Sequence, residues 1–342
     1  MRPPGTLSST GEAMLRALPR RDSQTVTLPD GRKLGFAEYG HPEGRPLFFF
    51  HGFPGSRLEA AGTDKMARRR WLRVIAVDRP GMGLSTFQPQ RRITDWPADV
   101  AALARHLDLP RFAVMGGSGG APYALACAHA LPRERLTAVG VMAGMGTFEA
   151  SAKPLIPFGP RFLGVASRHW PAMVRVVTDV IVGVVRWVME TGFVTRRMDR
   201  WLEGVERKEK EAAAAKAAAG DAPVDEEVED KRTLAERREE LIHIGFEGFA
   251  QGAAGAVQEA QLTGQDWGFK MADITYNPIL FWHGTKDANV PLAWARHMAD
   301  QLPHATFKEY EGETHFTLVK HLDDILVEIV PEETTPGTKL EK

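Results

Sequence analysis

One cysteine, four tyrosines and almost no net charge bound what this chain of 342 residues can be. A single thiol, Cys127, excludes an internal disulfide and any cysteine-based metal cluster. It falls within a predicted helix and reads as a small buried apolar residue. A net charge of −1 leaves no electrostatic case for a nucleic-acid partner or for a strongly anionic surface as partner. Residues 1–24 lack the apolar core of a secretory signal, so the expected compartment is the cytoplasm. Residues 1–23 read as a disordered lead-in in preference to a transit peptide, and residues 331–342 as a disordered tail. The most apolar stretch, residues 170–194, carries Arg175, Asp179, Arg186 and Glu190 at helical spacing. Four charges on one face exclude a membrane-spanning helix. An amphipathic helix is the first reading of that stretch, and an interfacial membrane helix the second.

What is present is a regular alternation. Residues 24–40 alternate apolar and polar around Pro29-Asp30-Gly31, the pattern of a β-hairpin. Leu47-Phe48-Phe49-Phe50 is a continuous apolar run, as expected of a strand buried on both faces. Strands are expected at 72–78, 111–117, 136–142, 278–283 and 305–310, with helices at 58–70, 93–108, 121–131, 291–302 and 317–330. The helix at 93–108, for example, carries Ile93, Trp96, Val100, Leu103 and Leu107 at helical spacing. Such alternation implies an α/β fold with a mainly parallel sheet and helices on both faces.

The alternation breaks at 148–270, which offers no convincing strand and reads as a helical insertion lying over the strand ends. Within it, residues 206–240 are charged and low in complexity, a solvated helix or a loop unable to bury enough apolar surface to offset its ordering entropy. The core is therefore expected over 24–147 and 271–330.

Four short segments carry the chemistry. Residues 111–120, Arg-Phe-Ala-Val-Met-Gly-Gly-Ser-Gly-Gly, form an apolar strand running into a serine with glycines two residues to either side. A helix former follows at once, so Ser118 sits on the tip of a sharp strand–turn–helix unit, the setting of a nucleophile. A phosphate loop is excluded, because Ala121-Pro122 stands where Gly-Lys-Ser/Thr is needed. A serine attacking a carbonyl generates an oxyanion, which needs two preorganised N–H donors. Gly119 supplies one, and Phe53 in His51-Gly52-Phe53-Pro54-Gly55 the other, since Pro54 has no N–H.

The third segment, Leu280 to Asp287, ends a strand on a carboxylate, the place for the acid that orients an imidazole. After the strand at 136–142 the nearest competitor is the more distant Glu149. The fourth is Tyr310 to Phe316, where His315 follows both Ser118 and Asp287 at a strand end and reads as general base, then general acid. His51 comes too early in the chain for that role, His283 lies within a strand, and His297, His304 and His321 fall on helices or connections. These five read as structural or solvent-facing.

At these segments the chain resembles the α/β-hydrolase superfamily, in its cap-bearing branch. The resemblance rests on the His51–Gly55 loop, on Asp78-Arg79-Pro80-Gly81-Met82-Gly83-Leu84-Ser85 and on the Gly-Gly-Ser-Gly-Gly turn, and covers about 24–147 and 265–330. It implies a mostly parallel eight-stranded sheet flanked by helices, an inserted helical cap, and the order Ser118, Asp287, His315. It also implies that Asp78 shapes a loop and takes no part in chemistry. The His51–Gly55 loop is similar to that of epoxide hydrolases and dehalogenases, but those use an aspartate nucleophile where this chain has Ser118. Epoxide opening also needs cap tyrosines, and Tyr39, Tyr123, Tyr276 and Tyr310 all lie outside the insertion. Proline iminopeptidases carry Trp after the nucleophile and a different Asp-x-Arg-Gly motif, which demotes that reading. Thr314 departs from the glycine often found before the histidine.

The expectation is a serine hydrolase that needs no cofactor or metal, cleaving an ester-like bond (carboxylic ester, lactone or thioester) of a small, hydrophobic substrate. Phe158, Phe162, Trp170, Met173, Trp187 and Trp201 of the insertion suit such a substrate, or equally a helix-packing core. The alternatives are a lyase or acyl transferase using the same site, and a slow ligand-binding receptor on the same fold. The expected partner is a small molecule, with no nucleic acid; the cap is the one surface suited to peripheral membrane contact, and the oligomeric state is left open.

Overall fold

The computed structural model describes residues 21–218 and 232–330. The lead-in over residues 1–20, the tail 331–342 and the middle of the charged segment lie outside the described residues. Residues 21–23, read with the lead-in, are instead tied to the sheet. The Arg21 carbonyl accepts the Glu38 N–H at 2.8 Å, and its guanidinium pairs with the Glu38 carboxylate at 3.0 Å.

Eight strands form one sheet: β1 (Gln24–Thr27), β2 (Lys33–Gly40), β3 (Arg45–Phe50), β4 (Leu72–Val77), β5 (Phe112–Gly117), β6 (Leu136–Met142), β7 (Ile279–Gly284) and β8 (Ala305–Tyr310). Their spatial order is β1-β2-β4-β3-β5-β6-β7-β8, with β1 and β2 antiparallel at one edge and every pair from β4 to β8 parallel. Between the strands run α1 (Asp64–Arg69), α2 (Trp96–His106) and α3 (Ala121–Ala130). The insertion after β6 holds α4 (Phe158–His169), α5 (Pro171–Met189), α6 (Gly192–Ala218), α7 (Leu234–Glu247) and α8 (Ala254–Thr263). Helices α9 (Leu292–Ala299) and α10 (Leu322–Ile329) follow β7 and β8. Residues 206–218 and 234–240, the flanks of the charged segment, are helical.

The apolar run in β3 explains how the layers assemble. Successive side chains of a strand point to opposite faces, so Phe48 and Phe50 pack with Ile75, Val77, Trp96, Val100 and Tyr123 on one side. Leu47 and Phe49 pack with Val74, Ala76, Ile325 and Ile329 on the other. A central strand covered on both faces needs no polar residue, and β3 has none between Leu47 and Phe50. The register sets Phe50 opposite Val77 on one neighbour and Gly116 on the other, so the carboxyl ends of β3, β4 and β5 finish level. Parallel sheets of this kind present their functional loops at that edge.

The insertion is anchored by its last two helices. Glu247 at the end of α7 pairs with Arg57 at 2.6 Å, and Gln251 donates to the carbonyls of Gly83 and Ser85 at 2.8 Å each. Its first three helices are less covered. Phe158, Phe162, Trp170, Met173, Trp187 and Trp201 are all exposed, Phe158 by 80% and Trp187 by 67%, so they are not the helix-packing core that their spacing allowed. Periodicity marks a helix as amphipathic but does not say which face turns inward.

Candidate active site

Ser118 follows β5 directly with a φ of 49°, in the left-handed region that residues bearing a side chain rarely adopt. The turn closes because its neighbours are small. A methyl group on Gly120 would lie 2.1 Å from the Phe50 carbonyl oxygen, so strand and helix pass at a distance only glycine permits. Helix α3 starts at once with Pro122 in its first turn, where a missing N–H costs nothing.

His315 and Asp287 reach Ser118 from the loops after β8 and β7. Ser118 Oγ lies 3.0 Å from His315 Nε2, and His315 Nδ1 lies 2.7 Å from Asp287 Oδ2. A carboxylate only accepts, so Nδ1 carries the proton and Nε2 is left as the acceptor for the serine hydroxyl. The other oxygen of Asp287 accepts the N–H groups of Asn289 at 2.9 Å and Val290 at 2.8 Å, which fixes the carboxylate in its plane.

The two loops are stitched together: Lys286 N–H donates to the Glu313 carbonyl at 2.9 Å, and Gly312 N–H to Thr285 Oγ1 at 2.9 Å. Thr314, the departure from glycine, closes its own turn. Its N–H donates to Thr317 Oγ1 at 2.8 Å while its Oγ1 accepts the Thr317 N–H at 3.2 Å.

The loop after β3 completes the site. A methyl group on Gly119 would lie 3.2 Å from Phe53 N, so the two candidate oxyanion donors sit side by side next to the serine. The Phe53 N–H has no protein acceptor among the described residues. His51 is fully buried; its Nδ1 donates to the Gly52 carbonyl at 2.8 Å and its Nε2 accepts the Arg79 N–H at 3.3 Å. Burial, helped by the Arg79 charge, holds its imidazole well below the usual histidine range, so His51 is a neutral brace for the loop.

Two further histidines also have structural partners. Buried His283 donates to the Val290 carbonyl at 2.8 Å, with its pKa pushed down by desolvation. His297 contacts Glu149 at 3.0 Å, which removes Glu149 as a partner of His315. Asp78 accepts from the backbone of Arg57 at 2.6 Å and of Leu84 at 2.8 Å, a loop-shaping role.

Two features escaped the sequence reading. Arg79 donates to the Gly52 carbonyl at 2.9 Å from behind the loop, and contacts Glu259 of α8 at 2.8 Å. Glu259 also takes Arg91, and accepts the Tyr123 hydroxyl at 2.8 Å. These residues are spread over 180 positions, and a lone Glu on an apolar helix was the only signal. The second feature is Glu59, whose carboxylate oxygens share the Gly52 N–H at 3.1 and 2.9 Å. A methyl group on Gly52 would lie 3.4 Å from Ser118 Cβ and 3.5 Å from Glu59 Oε2, so the carboxylate and the serine border the same space. Enclosure by protein raises its pKa, an effect that the Gly52 N–H and the charge of Arg79 offset only in part.

The model of the alpha/beta hydrolase family matches residues 47–327. Among curated proteins, a non-heme chloroperoxidase of Streptomyces lividans is 30% identical over 312 residues, 87% of this chain and 94% of that one. A proline iminopeptidase of Xylella fastidiosa is 34% identical over 117 residues, 32% of this chain and 36% of that protein. The chain thus spans about a third of the length of the first peptidases it matches. An esterase from Exiguobacterium antarcticum aligns with a TM-score of 0.59 at 14% identity, over 90% of this chain and 98% of that one. An enol-lactonase from Burkholderia xenovorans aligns at 0.57 and 16%, over 90% and 100%. At those identities the likeness speaks for the fold. Among the described residues no helix is long and apolar enough to cross a membrane.

Proposed function

The chain belongs to the alpha/beta hydrolase family, and from that premise we propose that it is a serine hydrolase cleaving an ester-like bond of a small, hydrophobic substrate. One observation carries the reading: Ser118 Oγ, in a left-handed turn, is 3.0 Å from His315 Nε2, whose other nitrogen is 2.7 Å from Asp287. Ser118 attacks the acyl carbon as its proton passes to His315 Nε2. The charge that develops on the carbonyl oxygen is met by the Phe53 and Gly119 N–H groups. Asp287 holds the imidazole in the acting tautomer and stabilises the imidazolium. His315 then returns the proton to the leaving oxygen or sulfur, and an acyl-Ser118 remains. A water molecule, deprotonated by the same nitrogen, releases the acid and restores the serine.

The apolar character assigned to the substrate rests on the rim of the site. Phe316, 73% exposed, stands with its ring centroid 5.4 Å from that of His315, and Phe53 lies against Gly119, the residue after the serine. A panel of p-nitrophenyl esters of increasing chain length tests the reading. Turnover by the native chain is expected, with Ser118→Ala lowering it by about 10⁴-fold or more. Equal turnover by Ser118→Ala would refute the role of the serine.

A further inference from the structure

Helix α5 leaves most of its apolar surface uncovered, with Val174 its only buried residue. At 3.6 residues per turn, Arg175, Asp179, Arg186 and Glu190 fall on one narrow stripe, where they are exposed and pair along the helix, Arg175 with Asp179 and Arg186 with Glu190. Asp179 accepts the Ala253 N–H at 2.7 Å just before α8, which ties the helix to the rest of the insertion. The opposite arc, about 140° wide, is wholly apolar and exposed, with Val176, Val180, Ile181, Val184 and Trp187 each more than half accessible. The neighbouring helices carry further exposed apolar side chains. Phe158 and Phe162 stack on α4 at 5.7 Å, and Phe193 on α6 is 70% exposed. An exposed apolar surface this continuous marks an interaction site.

We propose that the outward face of α4, α5 and α6 docks on the surface of an anionic lipid bilayer. Charge and aromatic placement select this occupant. Residues 153–202 hold eight Lys and Arg against three Asp and Glu, a positive surplus in a chain whose net charge is −1. Arg161, Arg168, Arg196, Arg197 and Arg200 are exposed and form no ion pair among the described residues. Trp170, Trp187 and Trp201 of this region are each more than half exposed, whereas of the other five tryptophans only Trp71, at 44%, is exposed. Tryptophan and valine facing out, bordered by unpaired arginines, is the make-up of a helix lying in the headgroup region. A second copy of the chain fits less well, because a two-fold contact through this face sets like-charged rims against each other. The helix lies on the bilayer and does not cross it. This inference does not depend on the chemistry at Ser118.

Flotation of the full chain with phosphatidylcholine vesicles, and with phosphatidylcholine–phosphatidylglycerol vesicles, tests the proposal. Binding to the mixed vesicles is expected, weakened by added salt and by about fivefold for each of Arg196→Gln, Arg197→Gln and Arg200→Gln. Val184→Asp is expected to abolish it with an unchanged thermal melt, since Val184 is exposed. Failure to bind either vesicle overturns the proposal, and so does salt-independent binding to both alike. A concentration-dependent dimer that Val184→Asp disperses, without vesicle binding, assigns the face to a second copy and equally overturns it.

Discussion

Asp287 holds His315 with one oxygen and its own loop with the other: Oδ2 lies 2.7 Å from Nδ1 while Oδ1 accepts the N–H groups of Asn289 and Val290. The carboxylate therefore arrives at the imidazole already oriented. Replacing it by an amide keeps the shape but presents an N–H to one of its two sets of donors. Asp287→Asn is expected to lower kcat by about 10³- to 10⁴-fold with KM nearly unchanged, measured on whichever ester is turned over fastest. A loss confined to KM would show that Asp287 acts on substrate binding instead.

Glu59 gives a pH signature. Its pKa is raised above the ordinary value of 4.5, chiefly by desolvation. The folded state then binds the proton more tightly than the unfolded state, so stability falls as pH rises through the window from 4.5 up to the raised value. Glu59→Gln keeps an acceptor for the Gly52 N–H and removes the charge. The variant is expected to melt a few degrees higher than the native chain at neutral pH, the difference closing below pH 4.5. A difference independent of pH would contradict the assignment.

Glu259 holds two buried arginines, Arg79 and Arg91, and through Arg79 joins the insertion to the loop after β3. Glu259→Ala leaves Arg79 and Arg91 buried without their carboxylate, at a cost of about 3–5 kcal/mol. Because Arg79 also holds the Gly52 carbonyl, kcat is expected to fall along with the melting temperature. Denaturant unfolding read beside ester turnover checks both. Full activity in a destabilised variant would mean that the loop keeps its shape without the network.

Much of this could be read from the chain because the informative signals are local. The Phe48–Phe50 run, the glycines around Ser118 and the carboxylate ending the β7 loop each sit within a few residues of the feature they announce. The contacts that could not be read join distant positions: Arg79 with Glu259, Arg57 with Glu247, Thr285 with Gly312. The orientation of α5 escaped for another reason. Its 3.6-residue period separates polar from apolar faces, but does not say that Val174 alone of its residues is buried.

The central claim is that Ser118 is the nucleophile, and covalent capture tests it most directly. Intact-mass and peptide analysis after treatment with a fluorophosphonate should find one phosphonyl group per chain, on Ser118. His315→Ala should slow the labelling by several orders of magnitude at the same fold stability. Absence of adduct on a folded chain, or an adduct on another residue with Ser118 unmodified, would contradict the account.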